Sequence, residues 1–245
     1  MLSQTIEVFP TPADLFQAAA EEFVRVGRNA IGAQGRFTVA LSGGSTPKSL
    51  YSLLAEKHRD FTWNRTFLFF GDERHVPPDH PESNYRMVNE SLLTKIQIPA
   101  KNIFRVKTED PDPVAAALGY ENEMREFLSA EEVPFPRFDL ILLGMGPDGH
   151  TASLFPGSDG LKEQSRWVIA NWVEKFKTNR ITLTLPVLNN AAEVMFMVAG
   201  ADKADMVRQV LEGKNSPPLP SQQVQPNDGK LLWMLDDVAG AKLTR

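Results

Sequence analysis

Short apolar runs alternate along this chain with segments whose apolar residues recur at helical spacing. The run Leu140-Ile141-Leu142-Leu143 is apolar at every position, as expected for a strand that helices bury on both faces. Strands of this kind belong to parallel sheets that are joined by crossover helices. The alternation therefore predicts a parallel-dominated α/β sandwich with helices on both faces of its sheet.

The apolar runs predict strands over residues 37–41, 66–70, 103–106, 138–143, 168–170, 181–185, 194–198 and 231–235. Five helices are predicted. The first covers residues 12–31, the second follows the Gly-rich turn and carries Leu50, Leu53 and Leu54, and the third begins at about residue 83. The fourth carries Val114, Leu118, Met124 and Phe127, and the last covers residues 202–211. Thr11 is expected to cap the first helix, with Pro12 at its first position. Residues 216–226 are Pro-rich and predict a surface loop. Because no linker divides residues 1–245, we expect one Rossmann-like domain.

Composition narrows the function classes. The chain has 245 residues, a formal net charge of −5 and no cysteine, which excludes disulfides and thiolate chemistry. Its Lys and Arg residues are scattered, which argues against nucleic acid or an anionic membrane as a partner. No apolar run approaches the roughly 18 residues of a membrane span, and the first residues lack the pattern of a signal peptide. We therefore expect a cytoplasmic protein, monomeric or weakly homo-oligomeric.

Ligands of open parallel sheets bind beyond the carboxyl ends of the strands, so the loops after strands are the first candidates for a site. The first such loop is Ser42-Gly43-Gly44-Ser45-Thr46-Pro47, after the strand 37–41. Its glycines let the backbone approach a ligand, its hydroxyls flank a helix start at Pro47, and the N–H groups of a helix N-terminus favour phosphate. A Gly-Gly pair is equally compatible with a simple tight turn, so both interpretations stay open here.

The second loop, Gly71-Asp72-Glu73-Arg74-His75-Val76-Pro77, places three charges directly after the strand 66–70. Arg74 is suited to hold a phosphate through paired hydrogen bonds, and Asp72 is suited to act on a proton or a hydroxyl. An exposed ion pair beside a turn is the plainer interpretation of either residue alone. Two further cations, Arg180 and Lys203, occupy comparable junctions between strand and loop. Either alone is compatible with an ordinary solvated side chain, but their recurrence at such junctions makes them candidates for the same anion.

The third loop, Gly144-Met145-Gly146-Pro147-Asp148-Gly149-His150-Thr151, follows the strand 138–143. Its glycines permit an unusual backbone path and place Asp148 and His150 two residues apart at the predicted start of a short helix. A His with a near-neutral pKa suits general acid/base work, and a neighbouring carboxylate can orient its ring. The chain has four His residues, and the position of His150 favours chemistry over a structural role.

Taken together and in this order, these loops and the segments Thr151-Ala152-Ser153-Leu154-Phe155-Pro156 and Gly200-Ala201-Asp202-Lys203 resemble the 6-phosphogluconolactonase family. That family belongs to the glucosamine-6-phosphate isomerase/6-phosphogluconolactonase superfamily. The stretch from Asp148 to Pro156 is the most specific part of the resemblance. It implies an enzyme of the oxidative pentose phosphate pathway that hydrolyses 6-phospho-D-glucono-1,5-lactone to 6-phospho-D-gluconate.

The resemblance also suggests a mechanism. The substrate phosphate is expected to bind Ser45, Thr46 and the amides of Ser42, Gly43 and Gly44, with Arg74, Arg180 and Lys203 supplying charge. His150 is expected to take a proton from the attacking water and return it to the ring oxygen. Asp148 is expected to orient the imidazole, and Asp72 to bind a sugar hydroxyl. No cofactor and no metal are expected, since the sequence carries no H-E-x-x-H zinc signature.

Two alternatives stay open. Glucosamine-6-phosphate deaminases carry similar segments, but their pattern has a Glu five residues after the His, where this chain has Phe155. They also carry an aromatic residue after Asp-Glu, where this chain has Arg74. Both departures favour the lactonase. The second alternative is a non-catalytic sugar-phosphate sensor, which would need a DNA-binding segment that the sequence does not indicate.

Overall fold

The computed structural model describes residues 3–128 and 133–244. The strands are β1 (Ser3–Phe9), β2 (Phe37–Leu41), β3 (Thr66–Phe70), β4 (Asp72–Arg74), β5 (Leu140–Leu143), β6 (Val168–Val173), β7 (Thr178–Leu183), β8 (Glu193–Val198) and β9 (Lys230–Asp236). The α-helices are α1 (Pro12–Gln34), α2 (Ser45–Lys57), α3 (Asn84–Ser91), α4 (Pro113–Leu128), α5 (Leu185–Leu188), α6 (Ala204–Glu212) and α7 (Asp237–Gly240).

Six strands form a parallel sheet in the order β1-β9-β8-β5-β2-β3, and every neighbouring pair runs in the same direction. The other three form a small antiparallel sheet in the order β4-β7-β6. The predicted parallel-dominated α/β sandwich is confirmed. The sequence does not anticipate the small sheet, since an apolar run does not reveal which sheet its strand joins.

The central strand β5 shows how both faces of the large sheet are buried. Leu140 and Leu142 pack into an apolar cluster with residues of α1, α2 and α3, whereas Ile141 and Leu143 pack with residues of α4 and α6. All four side chains are fully buried, and each such burial contributes roughly 1.5–3 kcal/mol. Helices therefore cover both faces, as the continuously apolar run predicts.

The start of α1 follows its sequence signals. Thr11 is extended, and its Oγ1 accepts a hydrogen bond from the N–H of Asp14 at 3.2 Å, which confirms the predicted cap. The helix continues beyond residue 31 to Gln34, where Gly35 adopts a φ of 78° that an L-residue rarely tolerates. The predicted strands 37–41 and 66–70 have the bounds of β2 and β3.

The strand predicted over residues 103–106 is wrong. Ile103 makes a single bridge to Leu68, and Phe104 stacks on Phe69 with ring centroids 4.6 Å apart. These apolar side chains cover the edge of the sheet instead of extending it. The sequence prediction also misses β1, an edge strand that has no continuous apolar run and leaves Ile6 and Val8 exposed.

The short helix predicted after His150 is also wrong. Residues 151–158 form turns, and the backbone of Ser153 bonds to side chains of the small sheet instead of to a further helical turn. The N–H of Ser153 donates to Oγ1 of Thr182 at 3.2 Å, and its carbonyl accepts from Nδ2 of Asn171 at 2.8 Å.

Three further predictions need correction near other loops. The second helix begins at Ser45, before Pro47. The helix predicted over 202–211 is a 3₁₀ turn, Ala201–Lys203, followed by α6, and it is not the last helix because α7 follows β9. The Pro-rich stretch 216–226 is not merely a surface loop, since Ser221 is buried and its hydroxyl donates to the carbonyl of Gly149 at 2.9 Å.

Within residues 3–128 and 133–244, no helix is both long and apolar enough to cross a membrane. The two ends of the described chain meet in the large sheet, where β1 pairs with β9. That pairing supports a single domain over residues 1–245, which stays a prediction, as does the cytoplasmic location.

Candidate active site

A cleft of about 220 Å³ opens at the carboxyl ends of the parallel strands. Its lining includes Ser42, Gly43, Gly44, Ser45, Thr46, Asp72, Arg74, Asn84, Gly146, His150, Arg180 and Lys203. The structure therefore brings together Arg180, Lys203 and every candidate residue from the three loops except Asp148, which lies behind His150 and contacts its ring. This clustering is expected for loops that follow neighbouring parallel strands.

One wall of the cleft is the loop from Ser42 to Thr46, which leads from β2 into α2. Gly44 caps the helix with a φ of 105°, a conformation that a side chain would strain. A Cβ at Gly43 would overlap Oδ1 of Asn84, so only glycine fits at that position. Both glycines thus allow the first N–H groups of α2 to face the cleft, where the positive end of the helix favours an anion.

Ser42 is held at the base of this wall. Its N–H donates to the hydroxyl of Tyr51 at 3.0 Å, and that hydroxyl donates to the carbonyl of Ser42 at 2.8 Å. Its Oγ is buried and has no hydrogen-bond partner in the part of the chain that the structure describes. A buried hydroxyl without a partner is costly, so a polar group of a ligand would stabilise it.

Two arginines face each other across the small sheet, since Arg74 of β4 is paired with Arg180 of β7. The Nε atoms of both are buried, and neither has a partner among the described residues. Burial, and then the charge of Arg74, lowers the pKa of the Arg180 guanidinium. Both side chains are half-buried, and two adjacent cations repel each other, so an anion between them would be favoured.

Lys203 supplies a third cation from the 3₁₀ turn that follows β8. Its ammonium lies 2.9 Å from Oδ2 of Asp202, and about a fifth of its side chain is exposed (22%). The preceding Gly200 has a φ of 108°, which turns the chain sharply after the strand. Lys203 is thus positioned at the rim of the cleft with its charge partly balanced.

On the opposite wall, Asp148 and His150 form a hydrogen-bonded pair that we call the acid/base pair. Nδ1 of His150 is in short contact with Oδ1 of Asp148, and the N–H of His150 donates to the same oxygen at 3.2 Å. A proton on Nδ1 satisfies this contact, which leaves the lone pair of the neutral ring on Nε2. Although burial works to raise the pKa of Asp148, its interactions with His150 and Lys175 lower it.

The ring of His150 stacks on Phe155, with centroids 4.1 Å apart and planes inclined by 23°. A Cβ at Gly146 would overlap the ring, so the imidazole fits only because Gly146 has no side chain. Burial lowers the pKa of His150, and this outweighs the opposite effect of Asp148 and Asp72. The imidazole is therefore neutral near pH 7 and able to accept a proton.

Asp72 is buried and fixed by two side chains that the sequence analysis did not single out as site residues. Ser153 donates from its hydroxyl to Oδ2 of Asp72 at 2.6 Å, and Nδ2 of Asn84 donates to Oδ1 at 3.3 Å. Ser153 lies in the stretch that carries the family resemblance, so its position could have been noted. Asn84 offers no comparable signal, because nothing in the sequence relates the start of α3 to β4.

Glu73 is buried next to Asp72 and organises the backbone instead of lining the cleft. Its carboxylate accepts from the N–H groups of Arg74, Asn84 and Tyr85 at 2.7–2.8 Å. Burial raises the pKa of Glu73 even though these hydrogen bonds oppose the shift. The residue therefore ties β4 to the first turn of α3 and sets the position of Asn84.

The described residues hold no group of three or more His, Asp or Glu side chains arranged to bind a metal ion. Metal-independent action stays a prediction.

Comparison with known proteins identifies the family. The family model of glucosamine-6-phosphate isomerases/6-phosphogluconolactonases matches residues 10–233. A 6-phosphogluconolactonase of Nostoc sp. is 41% identical over 244 residues, which cover 99% of this chain and 100% of that protein. One of Synechocystis sp. is 43% identical over 215 residues, covering 87% and 88% of the two chains. The solved structure of 6-phosphogluconolactonase from Trypanosoma cruzi superposes with a TM-score of 0.90 at 32% identity, covering 100% of this chain and 99% of that one. This chain therefore belongs to the glucosamine-6-phosphate isomerase/6-phosphogluconolactonase family.

Proposed function

We propose that this protein hydrolyses 6-phospho-D-glucono-1,5-lactone to 6-phospho-D-gluconate, the lactonase step of the oxidative pentose phosphate pathway. The observation that carries the proposal is the acid/base pair: a neutral imidazole, oriented by Asp148, faces a cleft whose other wall is built for an anion. The family, and the names of its relatives with more than 40% identity, support the same substrate.

The phosphate is held at the N-terminus of α2 by Ser45, Thr46 and the loop amides, with charge from Arg74, Arg180 and Lys203. The buried hydroxyl of Ser42 gains a polar partner when the ligand binds. The carboxylate of Asp72 is fixed by hydrogen bonds from Ser153 and Asn84, and it accepts a hydrogen bond from a hydroxyl group of the sugar. Anchoring both ends of the substrate converts a chance encounter into a positioned reaction.

In the reaction, water attacks the lactone carbonyl while Nε2 of His150 takes one of its protons. The oxygen of the carbonyl becomes an oxyanion, which is stabilised by hydrogen-bond donors of the cleft, such as backbone amides of its loops. The bond between carbonyl carbon and ring oxygen then breaks, and His150 returns the proton to that oxygen. No covalent enzyme intermediate is needed.

The deaminase alternative is disfavoured at the position where the two patterns differ. Phe155 stacks flat on His150 and supplies no carboxylate there. Phe155 buries the imidazole and so lowers the pKa of His150, which suits a general base that takes a proton from water.

The test compares wild type with His150→Gln, with His58→Gln as the control because that His lies at the end of α2, outside the cleft. Freshly made 6-phosphogluconolactone is supplied with a chelator, and product is followed by coupling to 6-phosphogluconate dehydrogenase after subtracting spontaneous hydrolysis. We expect His150→Gln to lower kcat by about 10²–10⁴-fold and His58→Gln to leave it unchanged. Wild type without a rate above background, but releasing ammonia from glucosamine 6-phosphate, would identify a deaminase instead.

A further inference from the structure

The turn between β6 and β7, residues 174–177, reaches the acid/base pair from the small sheet. Nζ of Lys175 lies 3.5 Å from Oδ2 of Asp148, the carboxylate oxygen that does not face His150. The two oxygens of this carboxylate therefore contact two different groups: one contacts the imidazole of His150 and the other the ammonium of Lys175.

Phe176, in the same turn, packs next to the acid/base pair through Phe155. Its ring meets the ring of Phe155 edge to face with centroids 6.0 Å apart, and Phe155 in turn stacks on His150. The guanidinium of Arg180 lies 4.8 Å above Phe176, and the ammonium of Lys175 lies 5.5 Å from the same ring. Lys175 is half-exposed, and the ring of its neighbour Phe176 adds a second contact that favours its position beside Asp148.

We propose that Lys175 is a positioning residue for the acid/base pair, binding the second oxygen of Asp148 and so sharing that carboxylate with His150. The proposal rests on the proposed function for its role in turnover, but the contact itself is independent of the substrate. A carboxylate shared with an ammonium attracts a proton on the imidazole less strongly. Lys175 would therefore help to keep His150 neutral and ready to accept a proton in slightly acidic solution.

The other charges that face His150 come from three places: Asp148 on its own loop, Asp72 on β4 and Arg180 on β7. The carboxylates of Asp148 and Asp72 favour the imidazolium, whereas Arg180 and burial oppose it. Removal of Lys175 leaves all four influences in place and changes only how strongly Asp148 acts.

The variant is Lys175→Gln, with Lys175→Arg to restore the charge. Lys177→Gln is the matched control, because Lys177 lies in the same turn and carries the same charge but pairs with Glu174. We expect the acid limb of the kcat/KM profile to move to higher pH by roughly 0.2–0.7 unit in Lys175→Gln, as for a half-exposed ion pair. At pH values below this limb, kcat/KM of Lys175→Gln should be two- to fivefold lower than that of wild type, and at higher pH the two values should converge. The profiles of Lys175→Arg and Lys177→Gln should keep the wild-type limb.

A profile of Lys175→Gln that superimposes on that of Lys177→Gln overturns the proposal, and so does a uniform loss at every pH, which indicates a structural role. A second readout needs no turnover: NMR titration of the His150 imidazole, assigned by its loss in His150→Ala. Its midpoint should rise in Lys175→Gln and stay unchanged in Lys177→Gln. Thus a protein that fails to open the lactone contradicts the proposed function alone, whereas an unmoved midpoint contradicts the role of Lys175.

Discussion

Two residues without side chains decide how closely the walls of the cleft approach each other. A Cβ at Gly43 would overlap Oδ1 of Asn84, and one at Gly146 would overlap the ring of His150. Asn84 has no room to retreat, because it is buried and its amide donates to the carbonyl of Asp72 at 2.9 Å. A methyl group at Gly43 would therefore displace Asn84 and, through it, the carboxylate of Asp72.

We expect Gly43→Ala to lower kcat/KM on the order of 100-fold, since a displacement of about 1 Å at a positioned group has that effect. Gly32→Ala is the control, because an added Cβ in that exposed part of α1 meets nothing within 4 Å. That variant should keep full activity and gain roughly 0.5–1 kcal/mol in the free energy of unfolding. Equal lactonase kinetics in the two variants would show that the contact between Gly43 and Asn84 is unimportant.

The sequence predicts which individual residues belong to the site better than it predicts the hydrogen bonds between them. His150, Asp72, Arg74 and the Gly-Gly loop are recognisable because each directly follows a buried strand. Ser153, by contrast, reaches Asp72 from a different loop, and the spacing between the two along the chain carries no information about that contact. Such partners depend on how β4 and the segment 151–158 fold against each other.

Elements are predicted well where their signals are local. Thr11 and Pro12 mark the start of α1 without any tertiary contact, and β2 and β3 follow from their apolar runs. The predictions fail where distant partners decide. The backbone of Ser153, within the segment 151–158, bonds to side chains of the small sheet, and Ile103 bridges to the edge strand β3.

The cap of α1 can be tested directly. Thr11→Ala removes the acceptor for the N–H of Asp14, and we expect it to lower the free energy of unfolding by about 1 kcal/mol. Thr11→Ser keeps the hydroxyl oxygen and should lose less than half as much. Urea unfolding monitored by circular dichroism measures both, and an alanine variant as stable as wild type would mean that the cap contributes nothing. Lactonase kinetics should be unchanged, since Thr11 is remote from the cleft.

For the whole molecule, one cluster at the amino ends of β8 and β9 makes stability depend on pH. Glu193 is buried, and its Oε2 lies 3.3 Å from Nη2 of Arg25 and 3.6 Å from Nζ of Lys230. Burial, and then the neighbouring carboxylate of Glu22, raises the pKa of Glu193 to about 7. The hydrogen bond from Arg25 lowers the pKa of Glu22 to about 2, so Glu22 carries the charge of the pair.

Between the ordinary Glu value of 4.5 and about 7, the folded protein holds a proton on Glu193 that the unfolded chain has lost. The free energy of unfolding should therefore decrease as pH rises through this window and level off above it. Glu193→Gln has no proton to lose, so we expect it to remove a decrease on the order of 1–2 kcal/mol between pH 5 and 8. Urea unfolding across that range is the measurement, with Glu56→Gln on the exposed side of α2 as control. A wild-type slope that survives in Glu193→Gln would assign the dependence to other groups.

The position of β1 bears on how the chain is made. In the large sheet β1 pairs with β9 alone, and almost the whole described chain separates the two strands. During synthesis β1 leaves the ribosome long before residues 230–236, which form the strand with which it pairs. The pairing of β1 with β9 joins segments that are distant in sequence, and contacts of this kind form late in folding. Factors that shield unpaired strands on nascent chains would therefore act on β1 until β9 is available.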